Sequence, residues 1–213
     1  MYCVIVGDII GSKSLEASVR SRSTDAINRV LHDINSKYKL DIMASFGIVR
    51  GDAFEGVLFS QKAAPRIIHD LLMGLYEENV FVRISAATGA LSVVSHDRNV
   101  ADGPAFYDAL NRIETLRREE SSHWFQISIL TNSPAQPLID GLLRVLTALT
   151  KGWTTKQTSI VWAMLRSNNR QLLVCEKLGV APSVVSRQLK AASFDAYQQA
   201  WAGLAEYLAT TSS

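Results

Sequence analysis

The sequence predicts an α+β domain over residues 1–132 followed by an all-helical domain over 138–213. Three observations carry this. Strand-like and helix-like hydrophobic periods alternate up to about residue 130. Beyond that point every apolar period is helical. Between the two regions lies TNSPAQP, residues 131–137, whose two prolines, Ser and Asn mark a break.

Within the first region, Tyr2–Val6 is apolar and β-branched and predicts a buried strand that Gly7-Asp8 ends. Residues 18–38 place Ile27, Leu31 and Ile34 on one face of a helix. Ile42–Val49 and Ala53–Phe59 predict two strands, and the short Arg50-Gly51-Asp52 connection makes them a hairpin. Ala63–Tyr76 predicts a second helix with Ile67, Ile68, Leu71 and Leu75 inward. A strand over Val80–Ala87, a helix over Ala105–Glu120 and a strand over Trp124–Leu130 complete the region. The order β-α-β-β-α-β-α-β mixes hairpin and crossover connections, which suits a sandwich of the ferredoxin-like kind.

The second region predicts helices over Leu138–Leu149, from Thr154 or Thr155 to about Arg166, over Arg170–Leu178, Pro182–Ala192 and Asp195–Leu208. Trp153, Trp162 and Trp201 are expected to pack this bundle.

Bulk properties exclude several classes. The chain has 213 residues, with 47% hydrophobic and 20% charged, as in ordinary globular proteins. No apolar run approaches the ~18 residues of a membrane helix, and the opening MYCVIVGD reads as a strand rather than a leader. Cys3 and Cys175 are the only cysteines, and the four histidines are scattered, so neither a disulfide framework nor a zinc site is expected. A cytoplasmic protein is the resulting expectation. Residues 1–132 carry 14 Lys and Arg against 16 Asp and Glu, whereas residues 133–213 carry 8 against 4. A basic C-terminal region behind an acidic body suits contact of the former with nucleic acid.

Residues 170–192, RQLLVCEKLGVAPSVVSRQLKAA, carry the pattern of a helix-turn-helix. Leu173, Val174 and Leu178 supply the inward face of the first helix, with Cys175 at the closest approach of the two. Gly179 permits the positive φ of the turn, Val180 fills the angle, and Pro182 opens the second helix. Val185 and Leu189 form its buried stripe. Ser183, Ser186, Arg187 and Lys190 are left outside, where Arg187 suits a guanine edge, the serines bases or phosphates, and Lys190 a phosphate. The segment resembles the wingless helix-turn-helix of sigma factors and response regulators, with Cys175 in place of the usual Ala.

In the first region Asp8, in VGDIIGSK, and Asp52, in RGDAFEG, lie 44 residues apart. If their strands are neighbours, the two carboxylates meet at one sheet edge. Such a pair suits Mg²⁺ that also binds a triphosphate. Ser12, Lys13 and the backbone of Ile9 to Gly11 then serve phosphate oxygens. Their mutual repulsion in the absence of a cation predicts that Asp8→Asn and Asp52→Asn abolish Mg-dependent nucleotide binding without lowering the melting temperature. The charged run of Arg112, Arg117 and Arg118 with Glu114, Glu119 and Glu120 reads as the wet face of a helix.

These motifs resemble known families. Residues 2–130 are similar to class III nucleotidyl cyclases and, more distantly, to GGDEF and polymerase palm domains, which hold two metal ions with carboxylates at these two places. RISAATGAL and ADGPAFYDALNRIE resemble a cyclase strand and helix. The departures are Tyr107 where cyclases place a transition-state Asn, Asn111 or Arg112 for the Arg one turn on, and Ala86-Ala87 in place of a glycine pair. Nearly the whole chain resembles the SatD family. The matching motifs are GDI with Ser12 and Lys13, GDAFEG from Gly51 to Gly56, Asp102 to Ala105, and Trp153 with Lys156-Gln157 before the helix-turn-helix. By composition Asp102-Gly103-Pro104 reads as a turn and helix start, and Asp102 is a further candidate ligand-binding residue. The expected function is a DNA-binding regulator, acting as a homodimer, whose nucleotidyl-cyclase-like domain binds a nucleotide or phosphate ligand. The alternatives are a metal-dependent nucleotidyl or phosphoryl transferase localised by its helix-turn-helix, and a first domain that only dimerises.

Overall fold

The computed structural model describes residues 1–11, 16–51, 53–94, 101–118 and 125–211. The chain forms two compact units, Met1–Leu143 together with Leu204–Ser213, and Arg144–Gly203.

The first unit is built on a five-stranded sheet: β1 (Tyr2–Ile9), β2 (Ile42–Arg50), β3 (Ala53–Leu58), β4 (Val82–Gly89) and β5 (Phe125–Leu130), in the order β2-β3-β1-β4-β5. β2 and β3 form the expected antiparallel hairpin, β1 is antiparallel to both its neighbours, and β4 and β5 are parallel. The connections are α1 (Ala17–Lys37), α2 (Ala64–Glu77, entered by a 3-10 turn over Gln61–Ala63) and α3 (Pro104–Arg118).

Strand alternation divides the sheet between two layers. Val4 and Val6 pack with Ala105, Phe106, Ala109 and Ile113 of α3. Cys3, Ile5 and Ile9 are buried on the opposite face, which α1 and α2 cover as a packed pair. β1 runs through Asp8 to Ile9, where pairing with Val82 continues, so Gly7-Asp8 does not end the strand. Gly7 serves packing instead: a Cβ there would stand 2.2 Å from the ring of Phe54 on β3.

The 131–137 segment is a hydrogen-bonded turn. The Oε1 of Gln136 accepts from the backbone N and the hydroxyl of Thr131, and its Nε2 donates to the Ile129 carbonyl and to Asp140. With Gln136 the helix α4 (Gln136–Lys151) begins. Everything described from there is helical: α5 (Thr155–Arg166), α6 (Gln171–Leu178), α7 (Pro182–Ala191) and α8 (Phe194–Thr210).

In the second unit α5, α6 and α7 pack on one another. Thr154 caps α5 through a full capping box with Gln157. Gly179 takes φ 62° at the end of α6, and Pro182 opens α7. Trp153, Trp162 and Trp201 surround the fully buried Tyr197 edge-on, with ring centroids 5.0, 6.3 and 6.4 Å from it. The indole of Trp153 donates to the carbonyl of Ala192 just past α7 (2.9 Å), fixing that end of the helix. Among the described residues no helix is long and apolar enough to cross a membrane.

Candidate functional site

On the α3 face of the sheet, cross-strand register produces three rows of rising polarity. The first is Ala44, Val57, Val4, Ala87 and Leu130; the second holds Glu55, Val6, Ser85 and Ser128; the third holds Ala53, Asp8, Arg83 and Gln126. The third row ends the hydrophobic layer with buried polar groups. Asp8 is 3% exposed and Gln126 4%. A carboxylate taken that far from water requires a charge partner.

Two arginines supply it. The Nε and Nη2 of Arg117, on α3, both lie 2.7 Å from Oδ2 of Asp8. Nη1 of Arg83, the cross-strand neighbour on β4, lies 3.6 Å from the same oxygen. The Nε of Arg83 donates to Gln126 (2.8 Å), which holds its plane beside Asp8. Arg117 also pairs with Glu114 one turn earlier on α3. Burial opposes the charge on Arg117, but the Asp8 and Glu114 carboxylates outweigh it and raise its pKa. Asp8 is therefore part of a balanced cluster of two guanidinium groups and two carboxylates.

The other residues expected in this region divide as follows. Ile9 is buried at the end of β1, and Gly11 is exposed with φ 74°. Ser12, Lys13 and Asp52 lie outside the described residues. Ala53, next to Asp52, is the register partner of Asp8. Asp102 is exposed before α3 and accepts from the backbone N of Gly103 (2.8 Å) and the hydroxyl of Tyr107 (3.0 Å), a contact that raises the Tyr107 pKa. Among the described residues no three His, Cys, Asp or Glu side chains gather as a metal site.

The sequence reading missed Arg83, Arg117 and Gln126. Arg83 had a signal, a lone cation between Val82 and Ile84 in an otherwise uncharged strand. Arg117 had none, because its place in a charged run reads as solvated. A second polar region of this unit, a cleft of about 470 Å³ lined by Ser60, Gln61, Thr88, Asn132, Ser133 and Thr211 among others, contains none of the expected residues.

In the second unit α6 and α7 pack on each other, and Val174 and Val185 are fully buried. Leu178 and Leu189 are half-buried and Cys175 is partly exposed. Leu173, expected inward, is 43% exposed. With only eight residues α6 turns one narrow stripe inward, that of Val174 and Leu178, and Leu173 lies about 100° away from it. Ser183, Ser186, Arg187 and Lys190 are exposed along one side of α7. Arg187 and Lys190 make no ion pair among the described residues. Gln171, at the start of α6, reaches across the turn and donates from Nε2 to the Pro182 carbonyl (2.7 Å) and to the Ser186 hydroxyl (2.9 Å). Residues 144–203 contain eight Lys and Arg and two Asp and Glu, a net charge of +6 on sixty residues.

The SatD family model matches residues 2–206. No curated protein matches the chain. Among solved structures, a guanylyl cyclase is 12% identical with a TM-score of 0.41, over 54% of this chain and 69% of that one. A bacterial light-regulated adenylyl cyclase is 15% identical with a TM-score of 0.43, over 59% and 74%. A regulator of polyketide synthase expression from Bifidobacterium adolescentis is 16% identical with a TM-score of 0.28, over 99% and 78%.

Proposed function

The chain belongs to the SatD family, and from that premise we propose that it is a cytoplasmic DNA-binding regulator whose first unit binds a phosphate-bearing ligand such as a magnesium nucleotide. One observation carries the DNA half: a unit of net charge +6 presents Ser183, Ser186, Arg187 and Lys190 along one side of α7, which packs on α6 with Val174 and Val185 fully buried and an αL turn at Gly179 between the two helices. A short helix, a tight turn and a second helix with a polar outer side are what a major-groove reader requires. A homodimer on two half-sites fits such a module.

Mobility shift in the full chain tests this. Arg187→Ala weakens sequence-specific binding by about 1–3 kcal/mol, as expected for a base-edge contact. Lys190→Ala weakens binding to all sequences and lowers the salt slope by about one. Unchanged binding in both variants sinks the DNA reading.

The ligand half is supported by the polar end of the sheet, where Asp8, Arg83, Gln126 and Arg117 interrupt the apolar layer. Asp8 and Asp52 are the proposed cation ligands, with Ile9, Gly11, Ser12, Lys13 and Asp102 on the ligand. Calorimetry of magnesium nucleotide with wild type and Asp8→Asn tests it, and equal heats in the two sink it. Any magnesium at Oδ2 of Asp8 must first displace Arg117, and regulation is preferred to phosphoryl or nucleotidyl transfer because Tyr107 stands where the cyclases this region resembles place a transition-state Asn. Metal-dependent turnover of nucleotide that is lost in Asp8→Asn reverses that preference.

A further inference from the structure

Resting on the DNA reading, we propose that Gln171 is a specificity-positioning residue: it fixes the Ser186 hydroxyl as a hydrogen-bond donor, so that α7 reads acceptor atoms on a purine edge at that position. The argument begins with the Pro182 carbonyl. A carbonyl oxygen only accepts, so the Gln171 atom 2.7 Å from it is the amide nitrogen. That nitrogen has a second hydrogen, and Ser186 Oγ lies 2.9 Å away. Ser186 therefore accepts from Gln171.

A serine hydroxyl has one hydrogen to give. Mid-helix it ordinarily returns that hydrogen to the carbonyl four residues earlier, which for Ser186 is again Pro182. Here both lone pairs of that carbonyl are engaged, one by the helical N–H of residue 186 and the other by Gln171. The hydroxyl hydrogen is thus directed away from the helix, on the exposed side of α7.

Arg187 and Lys190 are donors without acceptor capacity. Ser186 keeps one lone pair beside the one that Gln171 occupies, but its hydrogen points outward, so positions 186, 187 and 190 all lead with donors. In the major groove guanine offers two adjacent acceptors, N7 and O6, adenine sets an amino group beside its N7, thymine has O4 beside a methyl group, and cytosine presents an amino group, so guanine matches a face of leading donors best. The preferred partner at Ser186 is accordingly a purine N7, with guanine favoured beside it for Arg187. Without Gln171, Ser186 recovers its back-bond to Pro182 and loses this polarity.

The test uses duplexes enriched from a randomised pool by the full chain, then scanned with 7-deazapurines, which replace N7 by C–H. At one purine the wild type is expected to lose about fivefold or more in affinity, the scale of one hydrogen bond. Ser186→Ala shows that loss on the natural duplex and no further loss on the 7-deaza duplex. Gln171→Leu also becomes insensitive there while keeping its sensitivity at the Arg187 position. Gln171→Glu, whose carboxylate has no hydrogen for the Pro182 carbonyl or for Ser186 Oγ, is expected to lose the 7-deaza sensitivity in the same way as Gln171→Leu. Thermal melts establish that each variant is folded. Folded Gln171 variants that keep the wild-type 7-deaza profile overturn the inference and leave DNA binding standing. If the Gln171 variants do not fold, a 7-deaza loss that persists in Ser186→Ala overturns it instead. Failure of the wild type to enrich any sequence removes both readings.

Discussion

With Oδ2 of Asp8 held by Arg117 and approached by Arg83, the energetics of this position reverse the expectation from sequence. Two converging carboxylates predict stored repulsion, so that neutralising one costs nothing. A carboxylate paired with guanidinium groups predicts the opposite. Asp8→Asn is expected to lower the melting temperature of the ligand-free chain. Arg117→Ala is expected to cost about 2 kcal/mol in denaturant unfolding, below the value for a fully buried pair because Arg117 is half-exposed. The double variant should cost less than the sum of the two, and strict additivity would mean that the pair contributes nothing. His69 on α2 makes a separate prediction. Burial pushes its imidazole down to about 4, against a raising influence from Asp70 and a further lowering one from Lys37. Its folded pKa lies below the ordinary value of 6.5, so the neutral form stabilises the fold. That stability is complete above pH 6.5 and is lost as pH falls toward 4. The melting temperature should already decline between pH 6.5 and about 5, before most carboxylates titrate, and His69→Gln should flatten that window. An unchanged slope in the variant would reassign the decline to other groups. At this scale the sequence was a partial guide: Asp8 was visible as an acid closing an apolar strand, but its partners come from residues 83 and 117, brought together only by strand register and the return of α3.

The elements were the most legible part of the chain, because hydrophobic period and punctuation report on local geometry. The β2–β3 hairpin, the three helices of the first unit and the α6–Gly179–α7 turn all follow from such signals. What misled was ambiguous punctuation. Gly7 carries the sign of a strand end, yet its missing side chain admits the Phe54 ring from the neighbouring strand. The prolines and Ser of 131–137 carry the sign of a linker, yet Gln136 binds the segment into a turn. Leu173 belongs to an apolar run too short to declare which residue faces inward. Gly179 supports an element-scale prediction. Its φ of 62° disfavours any Cβ, although nothing lies within 4 Å of one. Gly179→Ala should therefore cost about 1–2 kcal/mol through backbone strain alone, with Gly179→Asn costing less, as read from thermal melts. A cost of several kcal/mol would instead point to a steric clash that the open surroundings do not provide.

For the whole molecule, the division of charge and of chain do not coincide with a simple order of two consecutive domains. The basic unit is residues 144–203, and the final helical turns from Leu204 belong to the first unit. There the hydroxyl of Tyr207 bonds Ser133, the hydroxyl of Thr211 accepts from Gln61, and Leu208 is fully buried. Ending the chain at Gly203 is therefore expected to destabilise the sheet unit, on the order of 4 kcal/mol for lost apolar burial. Amide hydrogen exchange in β1 and β4 should accelerate accordingly, and unchanged exchange would mean that the last ten residues contribute nothing to that unit. Sequence composition gave the basic character of the C-terminal region but not this return, since an amphipathic helix does not declare which core accepts its apolar face. The consequence reaches biosynthesis. As the chain leaves the ribosome, the helical unit has all its residues in hand before the sheet unit does. The sheet unit, whose strands come earlier in the chain, must wait with Gln61 and Ser133 lacking their partners until Tyr207 and Thr211 emerge.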